Sequence, residues 1–442
     1  MSLPQNSFTS PLSVDDTTIK FGALKTLLEI GLTPQLIFMI RSLSHFTSLY
    51  TSEAMFAHWN HTSPPHFPSI PNSFLDLHDI SNTEIREAIV SFKPLKALGP
   101  DGFHLVFFQK YWNIVATLLC LIPKTSKPET VCQLRPIGLC NTLYKAITKI
   151  LVRHLKLHLN DLIHPFQASF ILNRKASDNI ILTQEIILLM TTSKSKKGTM
   201  AIEIDLEKAF DRLEWGFIRQ TLIYFKFPPD WISLIMSYIF SSNLSILLNG
   251  DCLDPFHSSR GIRQGDPLSP YIFILCMKYL AWHIQEEVSS SNWKGIKAFI
   301  NGPTFTDLFF LLTISSSSQQ PPQKTVIPSR KFLTPFALPL VINHSKPRIF
   351  FSPCTTPHNI EMVENELGFS STRDFGKYLG APILTNRCNK RVYNFIIDKP
   401  RARLASWKAN TLSFASRLTL INSITAAFPI HIMQCTLLPT KV

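Results

Sequence analysis

The sequence predicts an α+β fold, and three stretches support that prediction. Residues 200–205 alternate apolar and polar side chains as a half-buried strand does, and the charged, Ala-containing run after them begins a helix. Residues 143–155 place apolar side chains at helical spacing, and residues 245–250 have a second strand pattern. With 442 residues, 45% of them hydrophobic, the chain is long enough to bury a substantial core and to divide into two or three subdomains.

Charge and cysteine content restrict the class of function. Lys and Arg number 44 against 30 Asp and Glu, and the net charge of +14 favours a polyanionic partner, although a plain solvated surface is the alternative. No apolar run reaches the roughly 18 residues of a membrane-spanning helix. The N-terminus lacks the basic flank and apolar core of a signal peptide. The eight cysteines include no Cys-x-x-Cys pair, which argues against a zinc module. We therefore expect an intracellular chain, nuclear or cytoplasmic, not secreted and with no membrane partner.

The N-terminal part offers little chemistry. Helical patterns appear at 24–30 and 36–43, and a Pro-rich stretch follows them. Residues 81–84 then have the capping side chain and the early Glu that begin a helix. Residues 1–84 are accordingly predicted to be an N-terminal linker region.

The predicted helix at 143–155 also carries a stripe of cations. Its four members, spaced four, four and three residues apart, share one face of the helix: Lys145, Lys149, Arg153 and Lys156. Such a stripe can follow a phosphate backbone, and a solvated helix face is the alternative.

Asp205 stands where the predicted strand at 200–205 ends. The end of a buried strand holds a carboxylate rigidly, which suits a metal ligand. An exposed acid at a helix start, favoured by the helix dipole, is the alternative. Phe210, five positions later, can turn back over whatever that carboxylate binds.

The most specific string in the chain runs from Gly261 to Phe273. It contains two glycines, the long amide of Gln264 and a predicted helix start after Pro267. These features make a loop able to lie against a flat base pair, whereas a Gly-Asp-Pro turn that only caps a helix is the alternative.

Two of these strings resemble motifs of one family. Residues 201–212, with Asp-Leu-Glu-Lys-Ala-Phe-Asp at their centre, resemble motif A of the reverse transcriptases of LINE-type (non-LTR) retrotransposons. Residues 261–273 resemble motif B of the same family and follow at the expected distance. Weaker similar strings lie at 96–102, 121–124, 134–141, 167–180, 341–351, 376–380 and 401–439. The last of these is similar to the thumb region of plant-like elements.

The resemblance implies a right-hand polymerase whose antiparallel palm sheet is flanked by helices. We expect a fingers-like region at 85–180 and a palm-like reverse transcriptase core at 181–380. Within the core, residues 315–340 are too rich in Pro and Ser for a continuous helix, so an irregular stretch is expected there. A partial thumb is expected at 381–442. The implied activity is RNA-directed DNA synthesis on an RNA template and DNA primer with deoxynucleoside triphosphates, and the implied cofactor is Mg²⁺.

The functional residues of the family fall on specific positions of this chain. Asp205 would be the catalytic, metal-binding carboxylate. The residues that would contact the incoming nucleotide or its base pair are Arg135, Phe210, Gln264, Gly265 and Lys346. The thumb residues that would follow a duplex backbone are Arg401, Arg403, Lys408 and Arg417, with a solvated helix face equally open.

One motif of the family is missing. Relatives carry Ala-Asp-Asp after an aromatic pair, and these aspartates hold two Mg²⁺ ions together with the motif A aspartate. Here Phe309-Phe310 is followed directly by Leu311-Leu312. Asp307 is a poor substitute, because a shift of three residues displaces a strand by roughly 10 Å and changes its face. We therefore expect weak or absent Mg²⁺ binding and impaired catalysis, and the alternative is a non-catalytic nucleic-acid-binding remnant of such an element.

Overall fold

The computed structural model describes most of the chain between residues 34 and 436. The described residues are 34–52, 83–84, 87–88, 91, 118–124, 130–139, 142–164, 167–192, 198–203, 206, 208–240, 243–248, 251–290, 295–297, 304–305, 311–314, 348–368, 370–384, 390–403, 413–422, 430 and 432–436.

Helices and strands are mixed along this part of the chain. The helices are α1 (Pro34–Tyr50), α2 (Thr142–Lys156), α3 (Leu159–Leu162), α4 (Ala176–Thr192), α5 (Trp215–Tyr224), α6 (Pro229–Phe240), α7 (Ser269–Ser289), α8 (Pro357–Leu367), α9 (Asn394–Arg403) and α10 (Phe414–Ile421). The strands are β1 (Leu118–Pro123), β2 (Leu134–Leu139), β3 (Gly198–Glu203), β4 (Asn243–Leu244), β5 (Ile246–Leu248), β6 (Asp251–Cys252), β7 (Phe256–His257), β8 (Ile296–Lys297), β9 (Thr304–Phe305), β10 (Leu311–Ile314), β11 (Arg348–Phe351), β12 (Ser370–Thr372), β13 (Lys377–Tyr378) and β14 (Ala381–Pro382).

A four-stranded sheet in the order β10-β3-β11-β12 contains the motif A strand. The motif A strand β3 pairs antiparallel with β10 on one edge and with β11 on the other, with Leu311 opposite Ala201 and Ile349 opposite Ile202. Strand β12 adds a parallel neighbour to β11. The predicted antiparallel sheet with flanking helices is therefore confirmed, with this one parallel pair as an addition.

Strand β3 is buried on both of its faces. Met200 and Ile202 point into the larger hydrophobic core, built with helices α2, α5, α6, α7 and α8. Ala201, between them, belongs to a second core formed with α4 and α9. The alternation predicted for 200–205 therefore separates two cores rather than a core and solvent, since successive side chains of a strand point to opposite faces.

A second sheet has the order β2-β1-β5-β6. Strands β1 and β2 form an antiparallel pair in which Arg135 lies opposite Ile122. Helix α1 packs beside this sheet, where Phe46 and Leu49 share a small core with Ile246. The two strings that resemble the fingers of the family are thus paired strands.

Several predicted elements are observed with shifted ends. Helices α5 and α6 span the apolar stretch between Trp215 and Phe240, and the helix expected after Pro267 is α7. The helix predicted at 36–43 extends to Tyr50, because its last turn is buried against other elements. Among the described residues, no helix is long and apolar enough to cross a membrane. The loop at 96–102 and the irregular stretch at 315–340 lie outside the described residues.

Candidate functional site

The motif A turn lies directly after β3. The backbone N–H groups of Asp211 and Arg212 both donate to the carbonyl of Lys208, at 2.8 and 3.0 Å, and close a compact turn. Lys208 has a positive φ of 49°, which lets the chain reverse there. Asp205, the predicted catalytic carboxylate and metal ligand, lies outside the described residues. Its role stays a prediction.

The motif B loop is bonded directly to that turn. The N–H of Ile262 donates to the carbonyl of Phe210 at 2.7 Å, and the N–H of Gly261 donates to the carbonyl of Leu213 at 2.8 Å. The indole N–H of Trp215 donates to the carbonyl of Gly261, also at 2.8 Å. The two motifs that the sequence separates by about fifty residues therefore form one junction.

Gly261 is required at this junction for two reasons. Its φ of +87° is a conformation that side-chain-bearing residues rarely adopt. A Cβ at this position would also lie 2.5 Å from the backbone oxygen of Asp211 and 3.1 Å from the ring of Tyr50. The missing side chain is thus what allows the two motifs to approach.

Asp211 is the centre of the polar contacts at the junction. Its Oδ1 accepts the hydroxyl proton of Tyr50 at 2.8 Å and an amide N–H of Gln264 at 2.8 Å. Asp211 is almost completely buried, at 2% exposure. One carboxylate oxygen therefore connects the N-terminal helix, the motif A turn and the motif B loop.

Burial controls the protonation of both partners. It raises the pKa of Asp211, and the hydrogen bonds from Tyr50 and Gln264 together with the charges of Lys208 and Lys124 oppose that rise. Burial, reinforced by the Asp211 carboxylate, raises the pKa of Tyr50 well above its ordinary value. The phenol therefore stays protonated and acts as a donor to Asp211.

Helix α1 is bonded to the junction beyond the Tyr50 hydroxyl. The backbone N–H of Ser259 donates to the carbonyl of Tyr50 at 2.8 Å, and the guanidinium of Arg260 donates to the carbonyls of Leu49 and Ser48. Arg260 also lies 3.5 Å from the carboxylate of Glu214. The end of α1 thus closes one side of the motif A and motif B junction.

A second buried carboxylate fixes the start of α7. Asp266 accepts from the backbone N–H groups of Leu268 and Ser269, at 2.8 and 3.2 Å, as an N-terminal capping group does. It also accepts the hydroxyl proton of Thr148 of α2 at 2.9 Å. Burial raises the pKa of Asp266, and these hydrogen bonds oppose the rise. The capping role that was the alternative interpretation of the Gly-Asp-Pro string is therefore present.

The residues predicted to contact the nucleotide are partly brought together. The Phe210 ring stacks on Phe273 with centroids 4.9 Å apart, so it is held against α7. Gln264 is half-buried and bonded to Asp211, while Gly265 is exposed with a φ of +103°. Arg135 is exposed on β2, and Lys346 lies outside the described residues. Their nucleotide-binding roles stay predictions.

Cations lie close to the motif A turn. The ammonium group of Lys208 is 2.8 Å from Nε2 of His45 on α1. Lys124, which follows β1, is near enough to lower the pKa of Asp211. The end of the β1–β2 hairpin therefore approaches the turn, so two lysine side chains lie near Asp211.

The predicted cation stripe lies on α2. Lys145, Lys149 and Lys156 are half-buried, and the Lys156 ammonium lies 5.6 Å from the centre of the Tyr271 ring. Arg153 is exposed and forms a 2.6 Å ion pair with Glu87. The Arg153–Glu87 ion pair gives one member of the stripe a protein partner. Binding of a phosphate backbone and a solvated helix face both stay open as interpretations of the stripe.

The predicted thumb cations fall on two helices. Arg401 and Arg403 are on α9, where Arg401 is exposed, and Arg417 is exposed on α10. Lys408 lies outside the described residues. A contact with duplex stays a prediction for all four.

The described residues do not supply a magnesium site. Asp211, one of the two described carboxylates of motif A beside Glu203, is buried and its Oδ1 is engaged by two donors. In the described part of the chain, no three His, Cys, Asp or Glu side chains form a metal-binding group. Strand β10, which pairs with β3, contributes Leu311, Leu312, Thr313 and Ile314.

The sequence prediction missed Tyr50 and Thr148. Nothing in the local pattern around Tyr50 marks it, since its partner is 161 residues away. Thr148 is 118 residues away from Asp266. Asp211, the second aspartate of the motif A string, is the residue from which a buried carboxylate with hydrogen-bond donors could have been predicted.

Comparison with known proteins agrees with these motifs. A sequence model of the family described as "Reverse transcriptase (RNA-dependent DNA polymerase)" matches residues 122–301. The chain is 26% identical over 221 residues to "Transposon TX1 uncharacterized 149 kDa protein" of Xenopus laevis, which covers 45% of this chain and 17% of that protein. It is 27% identical over 186 residues to "Retrovirus-related Pol polyprotein from type-2 retrotransposable element R2DM" of Drosophila melanogaster, covering 42% of this chain and 17% of that protein. The chain thus spans about a sixth of the length of these curated relatives.

A solved structure is also similar in part. It is a telomerase from Candida tropicalis truncated from the C-terminal domain, with a TM-score of 0.37 and 18% identity, covering 54% of this chain and 51% of that one.

The family match over residues 122–301 includes all of motif A and all of motif B, the two strings that form the junction. The curated relatives further place it with the retrotransposon proteins. The matched segment is therefore similar to the reverse transcriptases of retrotransposons, in agreement with the LINE-type (non-LTR) resemblance of motifs A and B.

Proposed function

We propose that this chain is an RNA-directed DNA polymerase domain in which catalysis is impaired. The supporting observation is the composition of β10. This strand pairs with the motif A strand at the sheet centre, and its residues 311–314 carry no carboxylate. A two-metal polymerase needs acids on the neighbouring strand turn, because one metal ion without further carboxylates binds weakly and leaves developing charge uncompensated.

The nucleic-acid side of the site supports the same proposal. The Gln264 loop is fixed to motif A by three backbone or side-chain hydrogen bonds, and the cations Lys124 and Lys208 lie beside it. An RNA template and a DNA primer are the partners that this arrangement fits, with deoxynucleoside triphosphates as anionic ligands for Lys124 and Lys208. Impaired catalysis and retained binding can therefore coexist.

Primer extension tests the catalytic part. The chain is given an RNA template, an annealed DNA primer and the four deoxynucleotides with Mg²⁺ or Mn²⁺. We expect incorporation equal to that of Asp205→Ala. Incorporation well above this control would contradict the proposal.

A gain of function sharpens the test. Insertion of Ala-Asp-Asp between Phe310 and Leu311 restores the family's string, and we expect incorporation to rise by about 10²-fold or more, the scale of losing one preorganised charge-stabilising group. The matched control is the same insertion combined with Asp205→Ala, which should return incorporation to background.

The second candidate function is a purely non-catalytic nucleic-acid-binding remnant, favoured by the net charge of +14 and the missing acids. It predicts that the insertion restores nothing, while the affinity for an RNA–DNA hybrid falls steeply with salt. The slope of log affinity against log salt should be roughly 0.9 per phosphate contacted. An affinity independent of salt would contradict nucleic-acid binding by the basic residues.

A further inference from the structure

A groove runs along the outside of the hairpin that helices α5 and α6 form. Its volume is about 550 Å³, and apolar side chains of both helices line most of it. Among the described residues that line it, the polar ones are Arg219, Ser233 and Ser237. All of the lining residues lie outside motifs A and B, so the polymerase motifs do not account for this groove.

Aromatic pairs hold the two helices side by side at both ends of the groove. The centroid of the Trp215 ring, at the start of α5, lies 5.0 Å from that of Phe240, at the end of α6. At the connecting turn, the Phe227 and Trp231 rings have centroids 6.3 Å apart. The part of α6 that lines the groove runs from Pro229 to Phe240, which is about 17 Å of helix or about three turns. The groove therefore has a defined length and a fixed shape.

Helix α6 is apolar on its outer face as well as on the face that enters the core. Trp231, Ile235 and Ile239 are buried on the inner face. On the outside, however, Leu234 is 36% and Phe240 51% exposed. A surface helix normally turns polar residues to solvent, and a helix that is apolar all round is typically covered on all sides. The outer face of α6 thus has the composition of a covered surface.

The shape of the groove favours a helix over a small molecule as its occupant. Ile223 and Phe240 are exposed, whereas Phe227 and Met236 are buried beneath them. A pocket for a small molecule encloses most of its ligand, whereas this groove is open to solvent along both helices. A shallow groove between two helices is the surface into which the side chains of a third helix pack.

The charge of the groove selects the kind of helix. Arg219 is the charged residue of the described lining and is exposed. Among the described residues, no acidic side chain forms an ion pair with it. A guanidinium beside apolar surface suits a carboxylate of a partner, because a covered apolar neighbourhood shields the pair from water. One cation among apolar side chains suits a protein better than a nucleic acid, whose backbone attracts several cations.

We propose that the α5–α6 groove binds an amphipathic helix of a partner protein. The partner helix packs apolar side chains against Ile223, Ile232 and Phe240, and a carboxylate at one end of its apolar face pairs with Arg219. The groove ends at Trp215, whose indole N–H is bonded to Gly261, so the bound helix lies next to the motif A and motif B junction. The proposal goes beyond the polymerase function and does not depend on it.

Selection from a displayed peptide library tests the site. Each member is a helix of about 15 residues, three turns with short flanks, in which the residues of one face are randomised. The full chain is the target, and clones that also bind the double variant Arg219→Gln, Phe240→Ala are discarded. We expect the remaining clones to share apolar residues at positions i, i+4 and i+7 and an acidic residue at one end of that face. No enrichment, or enriched clones without a common acidic position, would overturn the proposal.

Fluorescence anisotropy of one enriched peptide then measures each contact. We expect Phe240→Ala to weaken binding about tenfold, as for a buried aromatic anchor, and Arg219→Gln to weaken it about threefold, as for one partly exposed ion pair. The matched controls are Leu234→Ala and Lys226→Gln, an exposed apolar residue and an exposed cation of the same hairpin outside the lining. They should leave the affinity unchanged, and equal losses for groove and control variants would contradict the site.

Exchange of the acidic residue of the peptide for its amide tests the ion pair. Binding to the wild type should fall about threefold, while binding to Arg219→Gln should not change, because the contact is already absent there. Equal losses with both proteins would mean that Arg219 is not the partner of the carboxylate.

Two further measurements separate binding from folding and from self-association. The groove variants should keep the wild-type unfolding midpoint, since their side chains are exposed. If Phe240→Ala lowers it, Ile223→Ala takes its place and should also weaken peptide binding. In sedimentation, self-association of the full chain that Phe240→Ala abolishes would assign the groove to a second copy and overturn the proposal. None of these failures affects the proposed function, which primer extension tests through other residues.

Discussion

The two sides of the motif A segment are held by different kinds of contact. On the motif B side, side chains with specific partners form the junction: Tyr50 and Gln264 donate to Asp211, and Trp215 donates to Gly261. On the β10 side, the four paired residues 311–314 contribute backbone pairing with β3 and mostly apolar side chains. The motif B side therefore depends on the identity of individual side chains, whereas the β10 side depends on backbone pairing.

The two kinds of contact differ in how many substitutions they tolerate. Backbone pairing tolerates any residue that suits a strand, so the sheet closes without the missing Ala-Asp-Asp. A buried carboxylate tolerates few substitutions, because each lost donor leaves it unsatisfied. The fold can therefore persist where the catalytic acids are gone, while the junction depends on its individual side chains.

The largest expected effect comes from filling the space at Gly261. Gly261→Ala would force a Cβ against the Asp211 carbonyl and strain a φ of +87°. We expect a loss of about 3 kcal/mol in the free energy of unfolding, combining backbone strain with overpacking. Denaturant unfolding measures it. Gly216→Ala, on the exposed face of α5, is the matched control and should stabilise by about 0.5–1 kcal/mol. Equal effects at both glycines would show that the junction is not closely packed.

Removal of one donor should have the next largest effect. Tyr50→Phe takes the hydroxyl from Asp211, keeps the ring and leaves Oδ1 with the Gln264 amide as its donor, so we expect a loss of about 2 kcal/mol, the scale of one hydrogen bond to a charged group. A double-mutant cycle with Asp211→Asn isolates the contact. In the Asp211→Asn background, Tyr50→Phe should cost clearly less. Additive losses would mean that the two side chains are not coupled.

The pH dependence should be smaller, because two hydrogen bonds oppose the effect of burial. Burial raises the folded-state pKa of Asp211 above its unfolded value of 3.8. The protonated form is therefore favoured by folding, and stability gained from this group is full below pH 3.8 and is lost as the pH rises through the folded-state pKa. The unfolding free energy of the wild type relative to Asp211→Asn should increase as the pH falls toward 3.8. Urea unfolding of both proteins over a pH series measures it, and a constant difference would contradict the burial of this carboxylate.

The smallest effect on stability is expected at the surface of α2. Arg153 and Glu87 are 57% and 62% exposed, and an ion pair this exposed contributes little to folding. Glu87→Gln should leave the unfolding midpoint unchanged. It should, however, free Arg153 and increase the salt slope of nucleic-acid binding by about one. Glu185→Gln, at another exposed acid, is the control and should change neither quantity. An unchanged slope for Glu87→Gln would favour the solvated-face interpretation of the stripe.

Much of the fold could be predicted from the sequence. The helices α2 and α7 and the strand β5 lie where periodicity and turn residues indicate them, and β1 and β2 lie in strings that resemble the family. Their local chemistry is sufficient because apolar spacing and Pro or Gly positions act within a few residues. The extension of α1 to Tyr50 was missed, since its last turn is stabilised by burial against distant elements.

The sequence predicted which motifs form the candidate site. It did not predict which side chains contact each other there. The strings around Asp205 and Gln264 identify the family, and the structure joins the motif A turn to the motif B loop. That Arg153 pairs with Glu87, and that Arg174 is directed into its own loop, was not visible in the spacing of cations. Charge patterns show how often a cation recurs and do not show which partner it faces.

The sequence by itself determined the family, the order of the motifs and the absence of the Ala-Asp-Asp string, since all three are properties of contiguous residues. Only the tertiary structure decided that Tyr50 completes the surroundings of Asp211, that Asp266 joins α2 to α7, and that β3 separates two cores. These contacts connect segments more than a hundred residues apart, or opposite faces of one strand. They arise from the packing of whole elements, which no local pattern encodes.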